Sequence, residues 1–487
     1  MDRNTLPLTK MLAMDKRLLR IAMASCLVMA SAALTQAANW VGAGPSPSPS
    51  PTPPVYWSAV YDGSTTTTGW DSAAPNSNGA SANFTSVGAE RATTLDAAYT
   101  VGSLTLSGTS SGARRINFTG SEGTNTLTFN SGDTGPATIT NNASGNSIFI
   151  YMDARVNLDD DLVVTNNNAV YTTNPGIRFN RVLTGNGNLT FVNVNNSLAG
   201  GQISLTYAGS STFTGNVLVK KGAVVFGSTA NAFGATSNII TLGSAGEGSA
   251  SLVGTASGSA STLANNIVVA SGTGGTLLLG NSGSNSAVNA TFTGTITLNG
   301  DVSLISNKPS GGDVRYTNVI SGVGSVTTVG SGETQFGNGV TDITNTYRGN
   351  TTLADSSSLV LSDNTQMTFY IGNSGVNNKI TATGFQNVLT LDGDFVFDLT
   401  GAAANGTWQI VDVNLLNETF SSSFRVLSTS SVNPWAENNN VWTYVNGGVT
   451  YSFSEATGVL TAVPEPTTAL LLGGGLMVLL LRRRRRS

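Results

Sequence analysis

From Tyr56 to Leu460 the apolar positions carry no sustained helical period. They alternate with polar ones in short runs, and each run ends in Gly, Asn, Ser or Asp. Examples are Thr100–Gly108 (TVGSLTLSG), Thr124–Gly132 (TNTLTFNSG) and Asn289–Ser306 (NATFTGTITLNGDVSLIS). Across 291–298 the residues Thr291, Thr293, Thr295 and Thr297 share one side. Phe292, Ile296 and Leu298 share the other, with Gly294 between them. A period of two is that of a half-buried strand, so the body is predicted to be all-β.

Short words recur within this pattern. Thr212–Val219 (TFTGNVLV), Thr291–Leu298 (TFTGTITL) and Thr346–Leu353 (TYRGNTTL) share one spelling. Val182–Thr190 (VLTGNGNLT) and Val319–Thr327 (VISGVGSVT) share another and precede two of them at near-equal spacing. Recurrence at a near-fixed interval is the mark of stacked units that close a core only together. These words resemble the autotransporter-associated β-strand repeat, over roughly 180–365. The resemblance implies a right-handed parallel β-helix on a bacterial surface. A coil of about 20 residues rising about 4.8 Å would make some 300 residues a rod of about 70 Å.

After about Gly384 the composition changes. Gln386–Gly401, Gly406–Val413 and Asn439–Ser454 carry more Trp, Phe and Asp. The expected organisation is a signal peptide over 1–38 and a Pro/Ser-rich linker over 39–55. A β-solenoid follows over 56–385, then a C-terminal β module over 386–462 that caps the stack. The tail is 463–487. In the linker, Gly44–Val55 (GPSPSPSPTPPV) alternates proline with small residues, which favours an extended spacer.

The two ends read as addresses. Lys16, Arg17 and Arg20 precede the apolar stretch 21–34, and small residues follow, so cleavage is expected after Ala37. At the other end stand Pro464, Glu465 and Pro466, then an apolar run over Thr467–Leu481, then Arg482, Arg483, Arg484, Arg485 and Arg486. Fifteen helical residues reach about 22 Å, short of a bilayer core of about 30 Å. Arginines stay on the cytoplasmic side, so the body is expected outside the inner membrane. The plain alternative is a single-pass anchor. This three-part tail resembles the PEP-CTERM sorting signal, also labelled the ice-binding protein C-terminal domain. The resemblance implies recognition by an exosortase, transient membrane anchoring through a short C-terminal transmembrane helix, and transfer to the cell surface or extracellular matrix. It also implies a link to exopolysaccharide and biofilm.

Composition narrows the chemistry. Histidine is absent and there is one cysteine, Cys26, inside the apolar stretch of the signal. Imidazole-based triads, imidazole metal sites and disulfide frameworks are therefore excluded. Charged residues are only 10% of the chain, with 23 Lys+Arg against 27 Asp+Glu. Five of the basic residues are the terminal arginines and five lie in the signal, which also holds two of the acidic ones. The exported body is left with 13 basic and 25 acidic residues, a net charge near −12. That balance argues against nucleic acid as a partner.

Four groups of side chains deserve weighing. Asp159, Asp160 and Asp161 offer oxygens to Ca²⁺, although neighbouring strand residues diverge and a solvated turn is the simpler reading. Asp392, Asp394 and Asp398 alternate around Phe395 and Phe397, and are read as a plain solvent face. Arg114–Arg115, Arg178 with Arg181, and Lys220–Lys221 are the basic pairs, and none is flanked by a recognisable acidic-basic constellation of the kind a sugar-acting enzyme needs. The Thr side of 291–297, with Thr126/Thr128, Thr138/Thr140, Thr344/Thr346 and Thr381/Thr383, would suit ice only if stacked in register. Their uneven spacing favours ordinary strand threonines.

No catalytic, cofactor or metal site is expected. The function expected is non-enzymatic: a surface or matrix protein with a structural and adhesive role. The alternatives are a polysaccharide-acting enzyme and a module that binds carbohydrate, Ca²⁺ or ice.

Overall fold

The computed structural model describes residues 37–41, 55–60, 62, 69–85, 91–108, 114–119, 125–133, 135–145, 148–169, 176–205, 211–227, 231–254, 260–281, 290–307, 313–354, 356–431 and 433–465. Among them there is no helix, and none is long and apolar enough to cross a membrane. Strands follow one another round three faces and pair in parallel with their counterparts one turn on.

The first face carries ten successive strands, from Ser81–Phe84 to Ile320–Gly322, hence about ten turns. A further stack, from Ile343–Asn345 to Val426–Ser428, adjoins its end. The second face runs from Val55–Tyr56 to Ile380–Ala382. The third face is built of two stacks, Tyr99–Val101 to Leu183–Gly185 and Ser261–Leu263 to Asn417–Phe420.

The alternation predicted from sequence sets the packing. In Leu162–Asn166 and Leu189–Asn193 every second residue is buried. Inward residues from all turns merge into one continuous core, including Leu104, Ile139, Val164, Phe191 and Val219. Each fully buried Leu, Ile or Phe contributes about 1.5–3 kcal/mol. The first turns close on an aromatic cluster. The Trp40 and Trp70 rings lie 5.0 Å apart, as do those of Trp57 and Trp70, and the Trp70 indole N–H donates to the Trp57 carbonyl (2.7 Å).

Two devices hold successive turns in register. Inside the first face, Asn141, Asn166 and Asn193 are wholly buried and stack. Asn141 donates to the Asn166 carbonyl (3.1 Å), and Asn166 donates to that of Asn193 (3.0 Å). Outside the core, at the corner leading into the same face, the Asp161 carboxylate accepts from the Asn188 backbone N–H (2.8 Å). The Asn188 side chain accepts from Asn216 N–H (2.8 Å), and that of Asn216 from Ile239 N–H (2.9 Å). Glycines let these corners approach. A Cβ on Gly187 would lie 1.9 Å from the Asp160 carbonyl oxygen, and one on Gly215 2.0 Å from that of Gly187.

The recurring words are these corners. Thr212 N–H donates to the Leu183 carbonyl and Thr214 N–H to that of Gly185. In the other pair, Thr346 N–H donates to Ile320 and Arg348 N–H to Gly322. The two words of each pair therefore stack one turn apart. The first pair sits where the third face meets the first, and the second where the first meets the second.

Three expectations need correction. The turn is not a fixed 20 residues: stacked partners are separated by 20 at Asp313/Glu333, 22 at Ser81/Ser103, 25 at Asn141/Asn166, 27 at Asn166/Asn193 and 29 at Asn266/Thr295. The linker does not begin at 39, because Ala37–Val41 is a strand paired in parallel with Ser81–Phe84. The solenoid does not stop at 385, because Val388–Leu391, Asp394–Asp398, Asn417–Phe420 and Val426–Ser428 continue its parallel stacks.

What differs at the C-terminal end is an antiparallel sheet of five strands. Its order is Gly406–Gln409, Val459–Pro464, Val449–Ser454, Val441–Asn446, Ala436–Asn438. It shares the solenoid core through Phe453, whose ring lies 5.8 Å from both Phe395 and Phe397.

On the second face, Val225, Val253 and Ile305 sit in a row facing away from the core, yet are 5%, 0% and 8% exposed. Leu198, from a loop, and Leu278 and Val329, from strands of the same face, pack against them. Ser251 donates to Asn196, in the loop that carries Leu198 (3.0 Å).

Candidate functional site: the sorting tail and the outer faces

The C-terminal motif begins inside the folded body. Pro464 is the last residue of strand Val459–Pro464 and stands opposite Val449, with Val463 opposite Thr450. The neighbouring strand on the other side ends at Gly406, opposite Ala462. Pro464 therefore falls where one flank of the strand is already free, and a residue without an N–H is tolerated only at such an edge. Glu465 N–H donates to the Gly448 carbonyl (2.8 Å). Val463, Pro464 and Glu465 are all exposed. Pro466 and Arg482–Arg486 lie outside the described residues, as does the apolar run 467–481. At the other end Ala37, the expected cleavage residue, is the exposed first residue of its strand, and Ala38 is buried.

The acidic candidates are bound up in the fold. Asp159 accepts from the Asn130 side chain (2.6 Å) and Asp161 from Asn188. Asp160 accepts from the Ser131 hydroxyl, which holds its carboxyl below the usual value. Asp159 and Asp160 bond back to the preceding turn and Asp161 forward to the next. Asp394 corrects the solvent-face reading. It is 5% exposed and receives the Arg425 guanidinium, with Nε and Nη2 each 3.3 Å from a carboxylate oxygen. Burial raises its pKa and Arg425 opposes the rise. Asp398 accepts from the Thr400 hydroxyl (2.7 Å).

Sequence reasoning missed one charged constellation. Asp313 and Glu333 are register partners on adjacent turns of the third face, and Arg315 pairs with Asp313. Asp313 Oδ1 is buried without a hydrogen-bond partner. Burial raises the Glu333 pKa, the Asp313 charge adds to the rise, and Arg315 opposes it. The residues are 20 positions apart, and only the turn length brings them together. Of the basic pairs, Arg114–Arg115 lie in a second-face strand. Arg178 stands over the Tyr151 ring (5.5 Å), Arg181 donates to the Asp153 carbonyl (3.3 Å), and Lys220 pairs with Glu247 (3.2 Å).

The hydroxyl side chains stack better than their spacing promised. On the outside of the first face, Ser81, Ser103 and Thr138 form one column. Asn83, Thr105, Thr140 and Thr165 form the column beside it. On the second face Ser303, Thr327, Thr352 and Thr381 align. Aliphatic residues interrupt the first column at Val163, Leu218 and Val268. The result is a mixed hydroxyl and methyl surface with few charges.

Residues 462–486 match the PEP-CTERM protein-sorting motif. The tail carries that motif. No curated protein matches the chain, and no solved structure does. The PEP-CTERM motif implies export, a membrane-anchored C-terminal signal and processing by an exosortase. Its match starts at residue 462, within the last strand of the antiparallel sheet. Signal and body are thus continuous, with no spacer between them.

Proposed function

We propose that this chain is a structural and adhesive component of the cell surface or extracellular matrix, handed over by an exosortase. Its body is read as a right-handed solenoid, the hand favoured by parallel crossover connections. The antiparallel sheet serves as its cap, covering strand edges that would otherwise recruit other chains. The apolar run 467–481, outside the described residues, is read from its sequence as the segment that holds the precursor in the membrane until it is cut.

The observation that carries this reading is the pairing of a PEP-CTERM tail with in-register columns of uncharged hydroxyls. A repeated polar face makes many weak contacts, and their sum gives avidity without any single deep site. Exopolysaccharide, itself a repeating array of hydroxyls, is the partner that surface fits. The autotransporter-type words contribute the corners of the same scaffold.

The test is fractionation of cells carrying the full chain or one lacking Val463–Ser487, followed by binding of the purified body to a glycan panel. The full chain is expected at the surface with its tail removed, and the truncated chain in the periplasm or medium. Equal surface retention of both would refute the sorting step. A body that retains no glycan would refute the adhesive one.

A second reading, a polysaccharide-acting enzyme, is favoured by Asp313, Glu333 and Arg315. It requires that D313N and E333Q abolish glycan cleavage by the purified body.

A further inference from the structure

The sorting motif begins inside the folded sheet, and this has a consequence for processing. Up to Ala462 the last strand is paired on both sides, with Gly406–Gln409 and with Val449–Ser454. Beyond it, Val463 and Pro464 are paired on one side only, and Glu465 is held through its N–H to Gly448. A processing enzyme binds its substrate as an extended chain, with the substrate backbone lying in its own cleft. Here that backbone is already engaged by the hairpin.

We propose that this hairpin end is a latch: the sorting segment reaches the exosortase only when Val463–Glu465 peels away from Val449–Thr450. The proposal rests on the sorting reading above. The fold marks where peeling stops. Leu460 and Ala462 are 0% and 2% exposed and belong to the core, whereas Val463 is 59% exposed. The turn of the neighbouring hairpin, which joins Val441–Asn446 to Val449–Ser454, is built of Gly447 (φ 62°) and Gly448 (φ 77°), with open space where a Cβ would lie, and Gly448 supplies the carbonyl that holds Glu465. Such glycines close a tight two-residue turn with little strain. The outer pairs can therefore open and close without disturbing Leu460, Phe453 or the solenoid beneath. Cleavage then tracks the population of the open form.

The experiment uses the full chain in cells that contain an exosortase. T450C/V463C places two cysteines at directly opposed positions, within reach of a disulfide. The chain's one native cysteine, Cys26, lies in the signal. With the crosslink verified by mass, tail removal is expected to slow at least about tenfold and to return to the wild-type rate on reduction. G448V strains a left-handed position and should speed removal by about fivefold. Protease resistance of the body reports that both variants are folded. A crosslinked form processed as fast as wild type, or a G448V processed no faster, overturns the latch while leaving the sorting reading intact. A wild-type chain that keeps its tail beside an active exosortase overturns the sorting reading itself, and the latch with it.

Discussion

Asn166 accepts from the Asn141 carboxamide on one turn and donates to the Asn193 carboxamide on the next, so one side chain joins three turns of the solenoid. It also donates to the Gly201 carbonyl (3.0 Å). A buried amide in this position repeats along the stack because its donor and acceptor face opposite ways.

Replacing Asn166 by alanine removes those bonds and leaves a void among wholly buried groups. A loss of about 2–4 kcal/mol is expected. The adjacent outward T165A should change stability by less than about 0.5 kcal/mol. Thermal melting and hydrogen exchange of 141–193 provide the check. An N166A that melts with T165A would show that the ladder contributes nothing.

The corner glycines are predicted to divide sharply. G187A would set a methyl 1.9 Å from the Asp160 carbonyl oxygen, against backbone that cannot yield without opening two turns. A loss of about 3 kcal/mol or failure to fold is expected. For G248A the nearest neighbour is the Lys221 side chain at 3.8 Å and the backbone is not left-handed, so that variant should be neutral or slightly stabilising. Soluble yield and denaturation midpoint of the pair decide it.

Two carboxyls should tilt the pH profile in opposite directions. The Ser131 hydroxyl keeps the Asp160 carboxyl below its ordinary value of 3.8. Its contribution is full above that value and is lost as pH falls through the lowered pKa. Glu333 is raised above 4.5 by burial and by Asp313. The folded state binds its proton more tightly, so its contribution is present in acid and fades as pH rises through the raised pKa. D160N is therefore expected to lower the melting temperature near pH 7, with the deficit shrinking as pH falls below 3.8. E333Q should raise it near pH 7 and leave it unchanged near pH 3. Melting curves from pH 2.5 to 7 test both signs.

The all-β body was legible because alternation survives almost everything else. At 291–298 the residues fall inward and outward as the pattern predicts, yet they are two strands, Ala290–Phe292 and Ile296–Leu298, with a corner at Gly294. Alternation runs on through such a corner, so it reveals the faces and hides the bends. Turn length was not legible, because loops of varied size separate the faces. For that reason the hydroxyl columns and the Asp313/Glu333 pair could not be read from spacing. Asp394 was misplaced for a related reason. It begins its strand under Arg425, 31 residues later, and that cover is invisible locally.

The cluster around Val225, Val253 and Ile305 makes the long axis unsymmetrical. Rotation about it is not neutral, since one flank presents packed aliphatic side chains and the flank bearing Ser103 and Thr138 presents hydroxyls. Anything that lays such molecules side by side in a mat must therefore index on a bearing, as planks with a tongue do and plain dowels do not.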